Sequence, residues 1–173
     1  HNVCEMNIDA YQDERHGIFD YLVRQKEAGR IRHLGFSAHG SYGVIERFLK
    51  AYGDRMEFCQ IQLNYLDWTF QDAKAKIALL DGYGIPVWVM EPLRGGRLAS
   101  LSPEDAAKLK TLRPGEGVPA WAFRFLQSLP SVTVVLGIWM MAASYPAVSI
   151  DETGSRSGVS MILHSCQFLC VSV

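Results

Sequence analysis

The amino-acid sequence predicts an α/β fold in which parallel strands alternate with helices. Three apolar segments share one layout, and each begins at a glycine: GRIRHLGFS (29–37), GDRMEFCQIQLN (53–64) and GYGIPVWVME (82–91). If Ile31, Phe58 and Ile85 begin the strands, two intervals of 27 residues separate them, about the length of a strand plus a crossover helix. The strands are nearly continuous apolar runs, which is typical of a parallel sheet covered by helices.

The helices between these strands are predicted from apolar residues at helical spacing. Their apolar positions are Ile18, Phe19, Leu22 and Val23, then Val44, Ile45, Phe48 and Leu49, and then Ala73, Ile77 and Leu80. Three glycines follow these stretches, at Gly29, Gly53 and Gly84. We expect each of them to end a helix in the left-handed conformation before the next strand begins.

A fourth strand and helix unit follows after a longer excursion. SPEDAAKLKTL (102–112) opens with a serine, a proline and two acids, so it predicts a short added helix with a serine N-cap. VPAWAFRFLQSLP (118–130) predicts an amphipathic helix, and SVTVVLG (131–137) predicts a buried strand.

The last part of the sequence differs in composition from the rest. After Gly137 it holds only three charged residues, no lysine and no helical period. We therefore expect an ordered α/β unit over residues 1–136, followed over 137–173 by an irregular tail that is out of frame or disordered.

Composition excludes several classes of partner. A net charge of −1 and a pI near 6.6 give no electrostatic basis for binding nucleic acid or an anionic membrane. The uncharged run 125–150 is interrupted by Pro130 and Pro146, so it predicts two short pieces and no membrane span. The four cysteines lack metal-ligand spacing, which predicts reduced thiols, no metal site and a cytoplasmic protein.

Polar residues follow the predicted strands at the end where parallel α/β proteins bind their ligands. They are Ser37 and His39 after the first strand, Gln60, Gln62 and Asn64 at the second, and Glu91 to Leu98 after the third. Hydroxyl and amide side chains can pair with a carboxamide, and the glycines of PLRGG allow backbone N–H groups to approach an anion. The set suits a nicotinamide dinucleotide.

Several segments, in order and spacing, resemble strands five to eight of the aldo/keto reductases: GRIRHLGFSAHG, FCQIQLN, GIPVWVMEPLRGGRL and PAWAFRFLQSLPSVTVVLG. The opening His-Asn is similar to the end of strand four. The resemblance covers residues 1 to about 136 and implies a partial (β/α)8 TIM barrel, with strands five to eight and their crossover helices. It is strongest to a bacterial and archaeal branch in which some members append an iron–sulfur segment, although no such cysteine cluster is present here.

The resemblance implies NADP(H) as cofactor and an aldehyde or ketone as substrate. That family reduces carbonyls by hydride transfer, with a tetrad of Asp, Tyr, Lys and His. Only the histidine maps onto this sequence, at His1, so we expect the chain to be a weak or inactive oxidoreductase. The implied cofactor-binding residues are Ser37, His39, Gln60, Met90, Leu93, Arg94, Gly95 and Gly96.

Two of these positions depart from the family pattern. Ala38 replaces the asparagine that usually follows the serine, and His39 lies beside it. Met90 stands where an aromatic ring often stacks on the nicotinamide.

Other functions remain open on the sequence alone. The chain could be a non-catalytic module that binds a nucleotide or a protein partner, or a barrel enzyme of another family in which PLRGG holds a substrate phosphate. Half a barrel would also leave two sheet edges unpaired, which predicts self-association through those edges.

Overall fold

The computed structural model describes residues 1–137. One sheet contains four parallel strands in the order of the sequence: β1 (Phe36–Ala38), β2 (Cys59–Gln62), β3 (Val87–Met90) and β4 (Val132–Val135). The predicted α/β class and the parallel sheet are confirmed, and the architecture is consistent with part of a (β/α)8 barrel.

Helices precede and connect the strands. They are α1 (Ile8–Gln12), α2 (Ile18–Glu27), α3 (Tyr42–Tyr52), α4 (Asp67–Phe70), α5 (Ala73–Gly82), α6 (Pro103–Leu112) and α7 (Val118–Gln127). The five longer helices were predicted, whereas the two short ones, α1 and α4, were not. In α6 the Ser102 hydroxyl accepts a hydrogen bond from the Asp105 N–H at 3.1 Å, so the predicted N-cap is confirmed.

The two faces of the sheet have different surroundings. Cys59 and Ile61 of β2 and Val87 and Val89 of β3 are buried and join the hydrophobic core beneath the helices. The side chains that alternate with them are only half-buried, as expected for a strand whose successive residues point to opposite faces. On that second face the rings of Phe58 and Trp88 stack with centroids 4.0 Å apart, which places an aromatic pair near the middle of the sheet.

Residues before α1 extend the sheet past β1. Val3 forms a parallel bridge with Ala38. Its N–H donates to the Ser37 carbonyl at 2.8 Å, and its own carbonyl accepts from the His39 N–H at 2.9 Å. Of the two edges that we expected to be unpaired, the one at β1 is therefore partly covered, whereas β4 has no strand beyond it within residues 1–137.

The glycine prediction is confirmed at two positions and wrong at the third. Gly29 (φ 73°) and Gly84 (φ 67°) adopt the left-handed conformation after their helices. Gly53 has φ −59° and begins a 3-10 helix over Gly53–Arg55. A Cβ at this position would lie 2.7 Å from the ring of Tyr83, so any side chain there requires that ring to move.

The first strand is shorter than predicted. β1 begins at Phe36, whereas the sequence placed its start at Ile31. The apolar run that begins at Ile31 gives the correct segment but not its first paired residue, because pairing depends on where the neighbouring strand lies.

The predicted tail lies outside the described residues from position 138 onward. Within residues 1–137, no helix has the length and apolar character needed to cross a bilayer.

Candidate cofactor-binding site

The carboxyl edge of the sheet brings together three of the predicted side chains. Ser37 pairs in register with Gln60, and Gln62 pairs with Met90 on the next strand. The Gln60 amide Nε2 donates to the Met90 Sδ at 3.4 Å, so these two side chains are in direct contact. Ser37 is 7% exposed, and its hydroxyl accepts a hydrogen bond from the Asn2 N–H at 2.7 Å. The rim therefore offers a hydroxyl and an amide on adjacent strands.

The two predicted histidines lie next to each other at the same edge. The ring centroids of His1 and His39 are 6.1 Å apart. Neighbouring groups crowd the His39 ring and keep water from it, which lowers its pKa below the usual 6.5 and favours the neutral imidazole. A neutral ring can donate from one nitrogen and accept at the other.

The loop after β3 has an unusual backbone. Positive φ angles occur at Glu91 (57°), Arg94 (50°), Gly95 (62°) and Gly96 (88°). Two of these four residues are not glycine, and an L-residue in this region costs roughly 1 kcal/mol or more. The loop therefore adopts a conformation that other interactions must hold in place. Leu93 helps to close it, since its carbonyl accepts from the Leu98 N–H at 3.0 Å.

The side chain of Glu91 binds to its own loop. Its Oε2 accepts a hydrogen bond from the Gly95 N–H at 2.5 Å, and its backbone carbonyl accepts from the Arg94 N–H at 3.0 Å. The Gly95 N–H was expected to approach a diphosphate. It points instead at a carboxylate of the protein, so it does bind an anionic group, but one that belongs to the chain itself.

A buried polar network anchors this loop from the β2 side. Asp67 and Asn64 have no exposed surface. The Asp67 Oδ2 accepts from the Asn64 Nδ2 at 2.7 Å and from the Gln62 Nε2 at 2.8 Å. The Asn64 Nδ2 also donates to the Glu91 carbonyl at 3.1 Å, which ties the network to the loop after β3.

Arg94 completes the network from the loop. Its Nε lies 3.3 Å from the buried Asp67 Oδ1, an ion pair whose alignment does not make a hydrogen bond. Its guanidinium also lies over the ring of Phe70, 5.0 Å from the centroid. The charge of Arg94 is therefore engaged by Asp67 and Phe70.

Sequence reasoning missed Asp67. Its only sequence signal is the spacing in NYLD, where the Asn64 Oδ1 accepts from the N–H groups of Leu66 and Asp67 at 3.1 and 2.8 Å. That pattern is an Asn turn opening a short helix. From the sequence, an aspartate that begins a short helix is expected at the surface. In the structure Asp67 is buried, because the loop after β3 packs against it.

The titratable groups of this region do not form a metal site. Within residues 1–137, no group of three or more His, Cys, Asp or Glu side chains is arranged to hold a metal ion. Cys4 and Cys59 are buried free thiols.

The four parallel strands with their connecting helices define a protein of the α/β class, in which ligands commonly bind at the carboxyl edge of the sheet. The chain matches the model of the aldo/keto reductase family over residues 7–144, and it belongs to that family. Members of the family are oxidoreductases that generally use nicotinamide cofactors and act on small carbonyl compounds. Searches of the curated proteins and of the solved structures found no match.

Proposed function

We propose that residues 1–136 form units five to eight of an aldo/keto reductase barrel and bind NADP(H) at the carboxyl edge of the sheet. The parent reaction is reduction of an aldehyde or ketone by hydride transfer. The reduced, buried thiols of Cys4 and Cys59 are in keeping with a cytoplasmic location.

The position of Val3 supports the assignment of the strands. A residue just before α1 bridges the free side of β1 in parallel orientation, where a barrel would place the end of its preceding strand. This is also the place from which His1 would enter a barrel active site, beside His39.

The contact between Gln60 and Met90 carries the cofactor proposal. Among residues 1–137 the Gln60 amide group hydrogen-bonds only to a thioether sulfur, at 3.4 Å, and it can exchange that weak acceptor for a nicotinamide carboxamide at small cost. The Ser37 hydroxyl on the neighbouring strand supplies a second polar group, and Met90 supplies an apolar surface for one face of the ring. The choice of NADP(H) over NAD(H) rests on the sequence resemblance.

Weak or absent turnover is part of the proposal. Carbonyl reduction needs an acid that delivers a proton to the developing alkoxide. Burial raises the pKa of both Tyr11, which hydrogen-bonds to the His1 carbonyl, and Tyr65, which follows β2. A raised pKa makes a tyrosine a poorer proton donor, so neither residue replaces the tyrosine and lysine of the family tetrad.

Quenching or enhancement of NADPH fluorescence on addition of the protein tests this proposal. We expect saturable binding that Gln60→Leu weakens and that Gln127→Leu, on the exposed end of α7, leaves unchanged. Absence of binding at millimolar protein would rule out the cofactor role, and equal binding by both variants would rule out the assignment of Gln60. Binding without reduction of a test aldehyde agrees with the proposal, whereas rapid turnover contradicts the argument about the missing acid.

A non-catalytic module that binds a nucleotide or a protein is the second candidate. The Ser37 hydroxyl and the Gln60 amide on adjacent strands would bind a ligand without any proton donor, which favours this candidate. Binding of NADP⁺, NADPH and ATP with similar affinity would favour this reading over a reductase site.

Self-association through β4 belongs to the same proposal. Within the described part of the chain β4 is an edge strand, and unpaired edge strands favour association. Sedimentation velocity over a range of concentrations measures it, and a monomer at all concentrations would contradict it.

A further inference from the structure

Lys76 is a buried cation on the side of α5 that faces the sheet. The residue is 8% exposed, and its side chain makes no hydrogen bond or ion pair with any other residue of 1–137. Lys74, two positions earlier on the same helix, is exposed to solvent. A lysine with a buried stem keeps its ammonium group at a surface or a cavity, where it meets water or an anion. The ammonium group of Lys76 is therefore placed to pair with a counter-charge where that stem ends.

The titratable groups near Lys76 do not supply that counter-charge. The pKa of Glu5 is lowered mainly by hydrogen bonds from Ser41, and Lys76 contributes only weakly. The Glu5 Oε1 accepts the Ser41 N–H at 2.8 Å, so this carboxylate is held at the start of α3. Burial raises the pKa of the Cys59 thiol well above its usual value, which keeps that group neutral.

A cavity of about 220 Å³ lies where Lys76 meets the carboxyl edge of the sheet. Its lining includes His39, Gln62, Gln71, Ala73, Lys76 and Met90. Cavities that hold drug-sized ligands are larger, at roughly 300–1,000 Å³, so this one suits a ligand of only a few heavy atoms. Gln62 already donates its amide to Asp67, which leaves Gln71 and His39 as the donors that can turn toward the cavity.

The N-terminus of α5 opens on the same cavity. Ala73 is the first residue of this ten-residue helix, and the side chain of Asp72 makes no capping hydrogen bond. The N–H groups of the first turn of a helix have no intrahelical acceptors, and the helix dipole makes that end favourable for negative charge. The first-turn N–H groups of α5 and the ammonium group of Lys76 thus both favour negative charge in this cavity.

We propose that this cavity binds a small oxyanion, the carboxylate or phosphate group of a metabolite, with Lys76 as its ion-pair partner. Gln71 and the first-turn N–H groups of α5 donate hydrogen bonds to it, and His39 lies at the cavity wall. The site is adjacent to the cofactor rim, since Met90 and His39 border both. The groups that bind the anion, Lys76, Gln71 and the first turn of α5, are not among the residues assigned to NADP(H), so the two sites can be tested separately.

Anion titrations followed by ¹H–¹⁵N NMR test the proposal on the full chain. Inorganic phosphate and acetate are added separately, with sodium chloride adjusted to hold ionic strength constant, so that general screening is subtracted. We expect saturable shifts of the amide signals of residues 73–76 with at least one anion. The anion whose titration saturates at the lower concentration, phosphate or acetate, identifies whether the site prefers a phosphate or a carboxylate group.

Matched variants decide whether Lys76 is responsible. Lys76→Gln should weaken binding by about thirtyfold or more, because a desolvated charge partner is lost. Lys74→Gln removes the same charge from an exposed position of the helix and should leave binding unchanged. If Lys76→Gln fails to fold, Lys76→Met retains the length of the side chain without its charge and takes its place.

Three results would overturn the proposal. They are shifts that never saturate with either anion, equal weakening by Lys74→Gln and Lys76→Gln, and unchanged binding in Lys76→Gln. Loss of NADPH binding alone leaves this site standing, because the two titrations have separate readouts.

Discussion

Replacement of Asp67 by asparagine perturbs the buried network that holds the β3 loop. The side chain keeps its shape, and one oxygen remains to accept from the Gln62 and Asn64 amides at 2.8 and 2.7 Å. The second oxygen, which lies 3.3 Å from the Arg94 Nε, becomes an NH₂ group. A donor then faces a donor, and the two remaining hydrogen bonds lose the negative charge of their acceptor.

The expected loss follows from these contacts. Hydrogen bonds to a charged group contribute about 1.5–3 kcal/mol and neutral ones about 1 kcal/mol, so each of the two retained bonds weakens by roughly 1 kcal/mol. Loss of the ion pair with the partly exposed Arg94 adds a smaller amount, and relief of the buried charge of Asp67 offsets part of the total. We expect Asp67→Asn to lower the free energy of unfolding by about 2 kcal/mol.

Urea unfolding followed by tryptophan fluorescence measures this loss, and Trp68 lies directly beside the substituted residue. Asp81→Asn, on the exposed surface of α5, is the matched control and should change stability by less than about 0.5 kcal/mol. A double-mutant cycle with Arg94→Gln isolates the coupling between Asp67 and the loop. If Asp67→Asn is as stable as the wild type, or if the coupling energy is zero, the network does not hold the loop.

The remaining predictions concern three other sites. Glu91→Gln should tighten NADPH binding about fivefold, because removing a carboxylate near a diphosphate relieves roughly 1 kcal/mol of repulsion, and fluorescence titration would show unchanged or weaker affinity if the loop does not bind the diphosphate. Gly53→Ala should destabilise the fold by about 1–3 kcal/mol, because its Cβ would lie 2.7 Å from the Tyr83 ring, and an unchanged urea midpoint would contradict the packing. Lys26 and then His33 lower the pKa of Glu57 from 4.5 to about 2, so its contribution to stability should be full above pH 4.5 and lost as the pH falls toward 2. Unfolding of the wild type and Glu57→Gln across this range measures that loss, and a stability difference that does not vary with pH would refute it.

Most of the fold follows from periodicity in the sequence. Ile45 and Leu49 recur at the spacing of a helical face, and both are buried in α3. The strand segments around Cys59 and Val87 are apolar runs bounded by helix signals, and both lie in the parallel sheet. These predictions succeed because a buried face imposes its repeat on the sequence whatever the rest of the chain does.

Features that depend on contacts between distant segments could not be predicted in this way. Gly53 has the sequence position of a left-handed helix cap, yet it is fixed by the ring of Tyr83, thirty residues later. Asp67 opens a helix of only four residues, too short to show a period, and its partner Arg94 lies on the loop after the next strand. Lys76 lies on a helix, where a lysine is expected to be exposed to solvent, and its burial follows from the position of the sheet.

The loop after β3 shows how these distant contacts bear on function. Asn64 and Asp67 contact its two ends through the Glu91 carbonyl and the Arg94 side chain, and these contacts support its positive φ angles. The Glu91 carboxylate then occupies the Gly95 N–H, the same kind of interaction that a diphosphate oxygen would make. In the proposed function, a diphosphate would gain a preformed loop but would have to displace a carboxylate of the chain, and its net affinity would be the difference between these two effects. Asp67 supports the preformed loop, whereas Glu91 supplies the carboxylate that must be displaced. Substitutions at these two residues should therefore change NADPH affinity in opposite directions.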